Sequence, residues 1–180
     1  MNQEHEGIAI WLRLDDLRHA TAAEGYIELG MYTEADAELE QIDPLCQVLS
    51  PVLTLKLCVY AGLGKWALME VVARKMAQHF PHDVQWRIWW ATAARQLQSI
   101  ESAKRILLDG LETHPNDPNI HYNLSCYESR LHHFRQAQRH LARAIQLDWR
   151  FQRIALKDQD LKPLWQELAD SPRSPKPSSE

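Results

Sequence analysis

Four columns of apolar residues recur along this chain at a constant spacing of 34 positions. No insertion interrupts the register over four copies, and every member of every column is aliphatic or aromatic. A fixed period of this length indicates a repeat protein, in which each repeat buries its apolar face against its neighbours. The columns are Leu29, Leu63, Leu97 and Leu131; Tyr32, Trp66, Ile100 and Phe134; Ala35, Met69, Ala103 and Ala137; and Leu39, Ala73, Leu107 and Leu141.

Each repeat is predicted to be a helical hairpin. Within the repeats, apolar residues recur at steps of three and four, which is the period of an α-helix. Pro81 and Pro115 lie 34 positions apart, and each is predicted to end a helix. Asp83 and Asp117 follow them at positions suited to cap the next helix.

The connections inside and between the hairpins carry their own signals. Gly30 and Gly64 stand where the first helix of a pair must turn sharply into the second. Ser50 and Asp117 each precede a proline, which predicts an N-cap followed by proline at the first helical position. Pro44 comes early in its repeat, so the second helix there is expected to be short.

The middle repeats resemble the tetratricopeptide repeat (TPR) family in layout. The resemblance rests on Leu63-Gly64-Lys65-Trp66, Met69, Ala73 and Pro81, and on Leu97, Ile100, Ala103, Leu107 and Pro115. It implies an all-α fold, a right-handed α-solenoid of helix–turn–helix repeats, and a role in binding other proteins. The predicted organisation is a leader at 1–15, four repeats at 16–49, 50–83, 84–117 and 118–151, capping helices at 152–170, and a disordered proline- and serine-rich tail at 171–180.

Composition argues against several classes of function. The net charge is −4 and the pI about 6.1, so nucleic acid is an unlikely partner. Three cysteines without a C-x-x-C pair, a polar acidic N-terminus and no long apolar run predict a cytoplasmic protein with no membrane segment.

The sequence lacks G-x-S-x-G, H-E-x-x-H and glycine-rich phosphate-loop motifs, so we expect no enzyme, catalytic residue or cofactor. His79, His82 and His114 lie in loops that stacking would bring near one another, but solvated histidines are the favoured interpretation and no metal site is predicted.

Charge is unevenly distributed along the chain. Residues 1–50 hold 11 acidic and two basic residues, a net of −9, whereas the remainder carries +5. A solvated helix face is the default interpretation of such charges, but self-association of acidic to basic ends, or binding of an acidic partner, is the alternative. The acidic helix carries Glu34, Asp36, Glu38 and Glu40, and the basic face carries Arg135, Arg139 and Arg143.

The TPR resemblance also implies a place for a partner, because the first helix of each pair lines the concave surface in this family. Aromatic residues and arginines dominate the energetics of protein interfaces. Arg95 and Arg130 are suited to hold an acidic side chain or a terminal carboxylate. Trp86 and Trp90 share a helix face, and Trp90 is assigned to the core, whereas Trp89 is left open between core and groove. The predicted groove patch is Ile88, Trp89, Thr92, Arg95, Gln96, Tyr122, Asn123, Cys126 and Arg130.

The preferred function is a non-catalytic scaffold or adaptor that binds a peptide or partner helix in this groove. A dedicated chaperone, similar to small secretion chaperones, is one alternative, and a charge-driven self-associating protein is another. Two residues depart from the family pattern: Lys56 and Glu128 stand at inner-helix positions that are usually apolar in TPR proteins.

Overall fold

A computed structural model describes residues 13–170, and every regular element within them is helical. Part of the predicted leader and all of the predicted tail lie outside these residues. The helices are α1 (Leu14–Glu28), α2 (Tyr32–Glu40), α3 (Ser50–Gly62), α4 (Trp66–His79), α5 (Val84–Leu97), α6 (Ile100–Thr113), α7 (Pro118–Arg130), α8 (Phe134–Leu147), α9 (Arg150–Ala155), a 3₁₀ turn (Gln159–Leu161) and α10 (Lys162–Asp170).

The chain divides into two compact units between Phe80 and Pro81. The N-terminal unit contains the hairpins α1/α2 and α3/α4. The C-terminal unit contains the hairpins α5/α6 and α7/α8, followed by α9, the 3₁₀ turn and α10. The last three elements form what we call the cap.

The turns inside the hairpins confirm the role predicted for the two glycines. Gly30 and Gly64 have φ of 72° and 67°, in the left-handed region where a Cβ is unfavourable. His132 takes the equivalent position in the last hairpin with φ of 59°, which costs a non-glycine residue energy. The turn of the α5/α6 hairpin differs, because Gln98 at the equivalent position has a negative φ of −124°. The next residue, Ser99, caps α6, and its hydroxyl accepts a hydrogen bond from the Ser102 amide at 3.1 Å.

The helix starts confirm two predicted caps and correct a third. The Asp83 carboxylate accepts from the amide of Gln85 at 3.0 Å, and Asp117 caps α7 in the same way. The prediction for Ser50 was wrong by one position, because Ser50 is the first helical residue and Leu49 precedes it without a side-chain cap. Helix α2 has nine residues, which agrees with the short second helix predicted for the first repeat.

Two of the four apolar columns supply the cores. The column of Ala35 and the column of Leu39 are buried throughout, with no member more than 5% exposed. The leucine column behaves differently, because its members end the first helix of each hairpin, and Leu29 there is 73% exposed. Core residues of the C-terminal unit include Ala103, Leu107, Ile120, Leu124, Ala137, Leu141, Leu161 and Leu164.

Helix α7 is buried over most of its length, and only Asn119 and Arg130 near its two ends are exposed. One side of it packs against α6 and α8, and the 3₁₀ turn and α10 of the cap lie against another. Polar residues of α7 are therefore buried together with the apolar ones, and they include His121, Ser125, Glu128 and Ser129. The position of the cap therefore determines which residues of α7 remain on the surface of the C-terminal unit.

Within residues 13–170, no helix combines the length and the apolar character that crossing a membrane requires.

Candidate functional site

The cap lies over the part of the predicted groove patch that belongs to α7. Leu161 and Leu164 of the cap are fully buried in the core of the C-terminal unit. The indole N–H of Trp165 donates to the carbonyl of Ala155 at 3.1 Å, which joins α10 to α9. The turn between these helices therefore sits in a defined position beside α5 and α7.

Arg95 holds the carboxylate of Asp160 in a fork geometry. Its Nη1 and Nη2 donate to Oδ2 and Oδ1 at 2.5 and 2.8 Å, and the two side chains are each about one quarter exposed. The hydrogen bond to Asp160 raises the pKa of Arg95, although burial opposes it. Arg130 is a second cation at the same carboxylate, with Nε 3.9 Å from Oδ1, and the Arg95 guanidinium also lies 5.6 Å from the Tyr127 ring centroid. Paired charges with fork geometry are among the strongest polar contacts in proteins.

Tyr122 and Cys126 contact the other aspartate of the same turn. The Tyr122 hydroxyl donates to Asp158 Oδ2 at 2.6 Å, and the Cys126 Sγ lies 3.6 Å from that oxygen. The Tyr122 ring also stacks on Phe151 with centroids 4.7 Å apart. Burial, followed by the charge of Asp158, raises the pKa of the Cys126 thiol, so it is held protonated and is a poor nucleophile.

The remaining members of the groove patch are more accessible. Ile88 is half-buried and packs against the core, and the Thr92 hydroxyl donates to its carbonyl at 2.9 Å. Gln96 is exposed, and the half-buried Asn123 donates to the Asn119 carbonyl at 2.9 Å. The structure therefore separates the patch into an open part and a part that contacts the cap.

The tryptophans of α5 differ in their surroundings. Trp86 is buried, and Trp90 packs against the core as predicted. Trp89 is half-buried, so it contributes both to packing and to the surface. The indole nitrogens of Trp89 and Trp90 are buried, and neither has an acceptor among the residues that the structure describes.

The predicted basic face lies on α8. Arg135 and Arg139 are exposed, and neither forms an ion pair with an acidic residue in the part of the chain that the structure describes. Arg143 donates to the side-chain oxygens of Gln146 and Asn116, at 2.7 and 2.5 Å. Three positive charges thus line one helix that contains no acidic residue.

The acidic residues of α2 are partly neutralised within their own unit. Asp36 accepts from Lys65 Nζ at 2.6 Å, and Glu38 lies 2.7 Å from His19 Nδ1. Glu34 and Glu40 are exposed. The acidic surface available to a partner is therefore smaller than the sequence alone indicates.

Sequence reasoning did not find the partners of Glu128. This side chain is only 3% exposed, and its carboxylate contacts Lys104 Nζ at 2.7 Å and His133 Nδ1 at 2.8 Å. Lys104 comes from α6, so the contact joins the two hairpins of the C-terminal unit. The available signal was an acidic residue at a position where the TPR pattern is apolar.

Asp158 and Asp160 were also missed as site residues. In the sequence they interrupt the apolar pattern of the capping helices. The signal was the pair of groove arginines, which needed a carboxylate. Asp158 caps the turn, because its Oδ1 accepts from the Asp160 amide at 2.9 Å.

The described residues contain no group of three or more histidine, cysteine or acidic side chains that is suited to hold a metal ion. His114 Nε2 lies 3.2 Å from the carbonyl oxygen of His82, which is an ordinary contact between two loops.

Comparison with solved structures decides the fold. MamA AMB-1 matches with a TM-score of 0.54 and 17% identity over 87% of this chain and 95% of that one. MamA MSR-1 matches with a TM-score of 0.55 and 17% identity over 87% and 92%. MamA is a TPR-repeat protein, and the present chain has the same kind of consecutive helix pairs. The fold is TPR-like. No family model and no curated protein sequence matches the chain.

Proposed function

We propose that this TPR-like chain is a non-catalytic scaffold that binds a peptide or a helix of another protein at the groove patch. The observation that carries the proposal is the contact of Arg95 and Arg130 with a carboxylate. Their guanidinium groups bind an acidic side chain, which is the chemistry expected of a surface that recognises a protein ligand. The predicted patch also includes the exposed Gln96 and the half-buried Trp89 and Asn123.

Catalysis has little support at this site. The Cys126 thiol is buried and held protonated, and the Tyr122 hydroxyl donates a hydrogen bond to Asp158. Burial and that hydrogen bond raise the pKa of the Tyr122 hydroxyl, so it is not poised as a base near neutral pH. These groups hold the cap in place.

Site-specific photo-crosslinking tests the proposal. Gln96 is exposed on α5, and Gln138 is exposed on α8, outside the groove patch. A benzophenone amino acid at position 96 should form an adduct with one partner in lysate from the source cells, whereas the same label at 138 should not. Arg130→Glu should reduce the adduct at least tenfold, and the exposed control Arg139→Glu should leave it unchanged. Equal labelling from positions 96 and 138, or an adduct insensitive to Arg130→Glu, would contradict the proposal.

Self-association is a second candidate, favoured by exposed charged side chains that form no ion pair within residues 13–170. Glu34 and Glu40 are exposed on the N-terminal unit, and Arg135 and Arg139 are exposed on the C-terminal unit. Contact between the acidic surface of one copy and the basic surface of another closes a dimer if the copies are antiparallel, and it extends into larger assemblies if they associate head-to-tail.

Complementary charge reversal tests this second candidate. The wild-type mass measured by light scattering should rise with concentration at low salt and fall at high salt. Glu34→Lys/Glu40→Lys and Arg135→Glu/Arg139→Glu should each be monomeric alone and should associate when mixed. A wild-type chain that stays monomeric at low salt and high concentration would refute it.

A further inference from the structure

The turn at 158–160 contacts the groove patch as a bound ligand would. Its two carboxylates contact hydrogen-bond donors of the patch, namely the guanidinium of Arg95, the hydroxyl of Tyr122 and the thiol of Cys126, with Arg130 close by. Each carboxylate has its own donors. The polar part of this contact is therefore directed at acidic groups.

The turn is organised to present both carboxylates together. Asp158 uses Oδ1 to accept from the Asp160 amide at 2.9 Å, and this leaves Oδ2 for Tyr122. The residue between them, Gln159, is exposed and plays no part in the contact. The recognised element is therefore an Asp-x-Asp turn, and the middle position is free.

Covering the end of a repeat array does not require such a contact. Leu161 and Leu164 already bury the apolar side of the cap. A partly buried ion pair adds little stability compared with an apolar pair of similar volume, because desolvation of the charges offsets their attraction. Capping alone therefore does not explain why the turn contacts the patch through charged and polar groups.

We propose that the Asp158–Asp160 turn is an internal ligand of the groove patch, and that the patch takes an Asp-x-Asp segment of a partner protein once this turn is released. The inference rests on the proposed function, because it names the ligand class of the same patch. The internal turn is tethered, and a tethered ligand acts at an effective concentration on the order of millimolar. A free acidic peptide therefore binds weakly while the internal turn occupies the patch, and it binds well once that turn is released.

Fluorescence anisotropy of the full chain tests this inference. The probe is a fluorescein-labelled peptide with the sequence of residues 154–170, and the control peptide carries asparagine in place of both aspartates. Asp158→Asn/Asp160→Asn removes both carboxylates from the internal turn and preserves the size of the side chains. Asp160→Asn alone is the milder variant, in case the double variant fails to fold, and circular dichroism verifies the helix content of each.

The double variant should bind the acidic peptide at least tenfold more tightly than the wild type does, and Asp160→Asn should give an intermediate gain. The asparagine peptide should bind neither protein, and Arg95→Glu added to the double variant should abolish the gain. Folded variants without a gain, or equal binding of the two peptides, would overturn the inference. If Arg130→Glu still removes the crosslinked partner in that case, the proposed function stands without an internal ligand. If the crosslink also survives Arg130→Glu, the proposed function fails as well.

Discussion

The contact between Lys104 and Glu128 predicts that a double variant is more stable than one of the single variants from which it is built. The Glu128 carboxylate is 3% exposed, and it contacts Lys104 Nζ at 2.7 Å and His133 Nδ1 at 2.8 Å in place of water. Lys104→Met removes the main positive charge and leaves the carboxylate buried. Removal of one partner of a buried pair costs about 3 to 5 kcal/mol, and we expect about 3 kcal/mol because His133 remains and Lys104 is 24% exposed.

The double variant Lys104→Met/Glu128→Leu should be more stable than Lys104→Met alone. It removes the buried carboxylate that Lys104→Met leaves without its main partner, and it places two apolar side chains between the hairpins. Such replacements are often neutral or stabilising. We expect it to recover roughly 2 kcal/mol of the loss, which corresponds to about 4–8 °C in melting temperature for a chain of this size.

Urea unfolding followed by tryptophan fluorescence measures the free energies, and a double-mutant cycle with Glu128→Leu isolates the pairwise contribution. The more exposed pair of Lys65 and Asp36 in the N-terminal unit is the matched control, and its coupling should be smaller. The reasoning is refuted if the double variant is as unstable as the sum of the single variants, because the carboxylate then does not depend on Lys104.

Three further predictions concern other positions. Burial, the neighbouring His121 and Lys104 lower the pKa of His140 below 6.5, although Glu128 opposes them. As the pH falls, His140 therefore binds a proton in the unfolded chain before it does so in the folded one. The contribution of His140 to the free energy of unfolding should be fully present above pH 6.5 and should be lost as the pH drops below it. Thermal melts from pH 5 to 8 should show a less steep fall in His140→Phe. Asp117→Ala should cost about 1 kcal/mol in urea unfolding through loss of the α7 cap, with a much smaller loss for Asp117→Asn. His132→Gly should raise the urea midpoint by the equivalent of roughly 0.5–1 kcal/mol, because φ there is 59°, and an unchanged midpoint would argue against strain.

Most of the local structure was predictable from the sequence because its causes are local. The period of 34 places Ala35 and Leu39 in the core, and their counterparts in the other hairpins are buried too. Glycine at positions 30 and 64 predicts the left-handed turns, and Asp83 predicts a helix start. Each of these features depends on residues within a few positions, where helix geometry and capping chemistry apply directly.

The groove patch was predictable only in part. The arginines at positions 95 and 130 were predicted to suit an acidic side chain of a partner, and the structure places both beside Asp160 of the same chain, 65 positions beyond Arg95. Tyr122 and Cys126 were expected to line an open groove, and the structure places them against Asp158. Whether they bind a partner remains a prediction, and release of the turn at 158–160 is the way to test it.

The sequence by itself determined the repeat length, the helical hairpins and the uneven charge, since these follow from spacing and composition. Only the tertiary structure decided which charges are available to a partner. It pairs Asp36 with Lys65 and Asp160 with Arg95, and it leaves Arg135 and Arg139 exposed. The physical reason is that an ion pair depends on distances of a few ångströms between side chains that are far apart in the chain, and packing of the helices sets those distances.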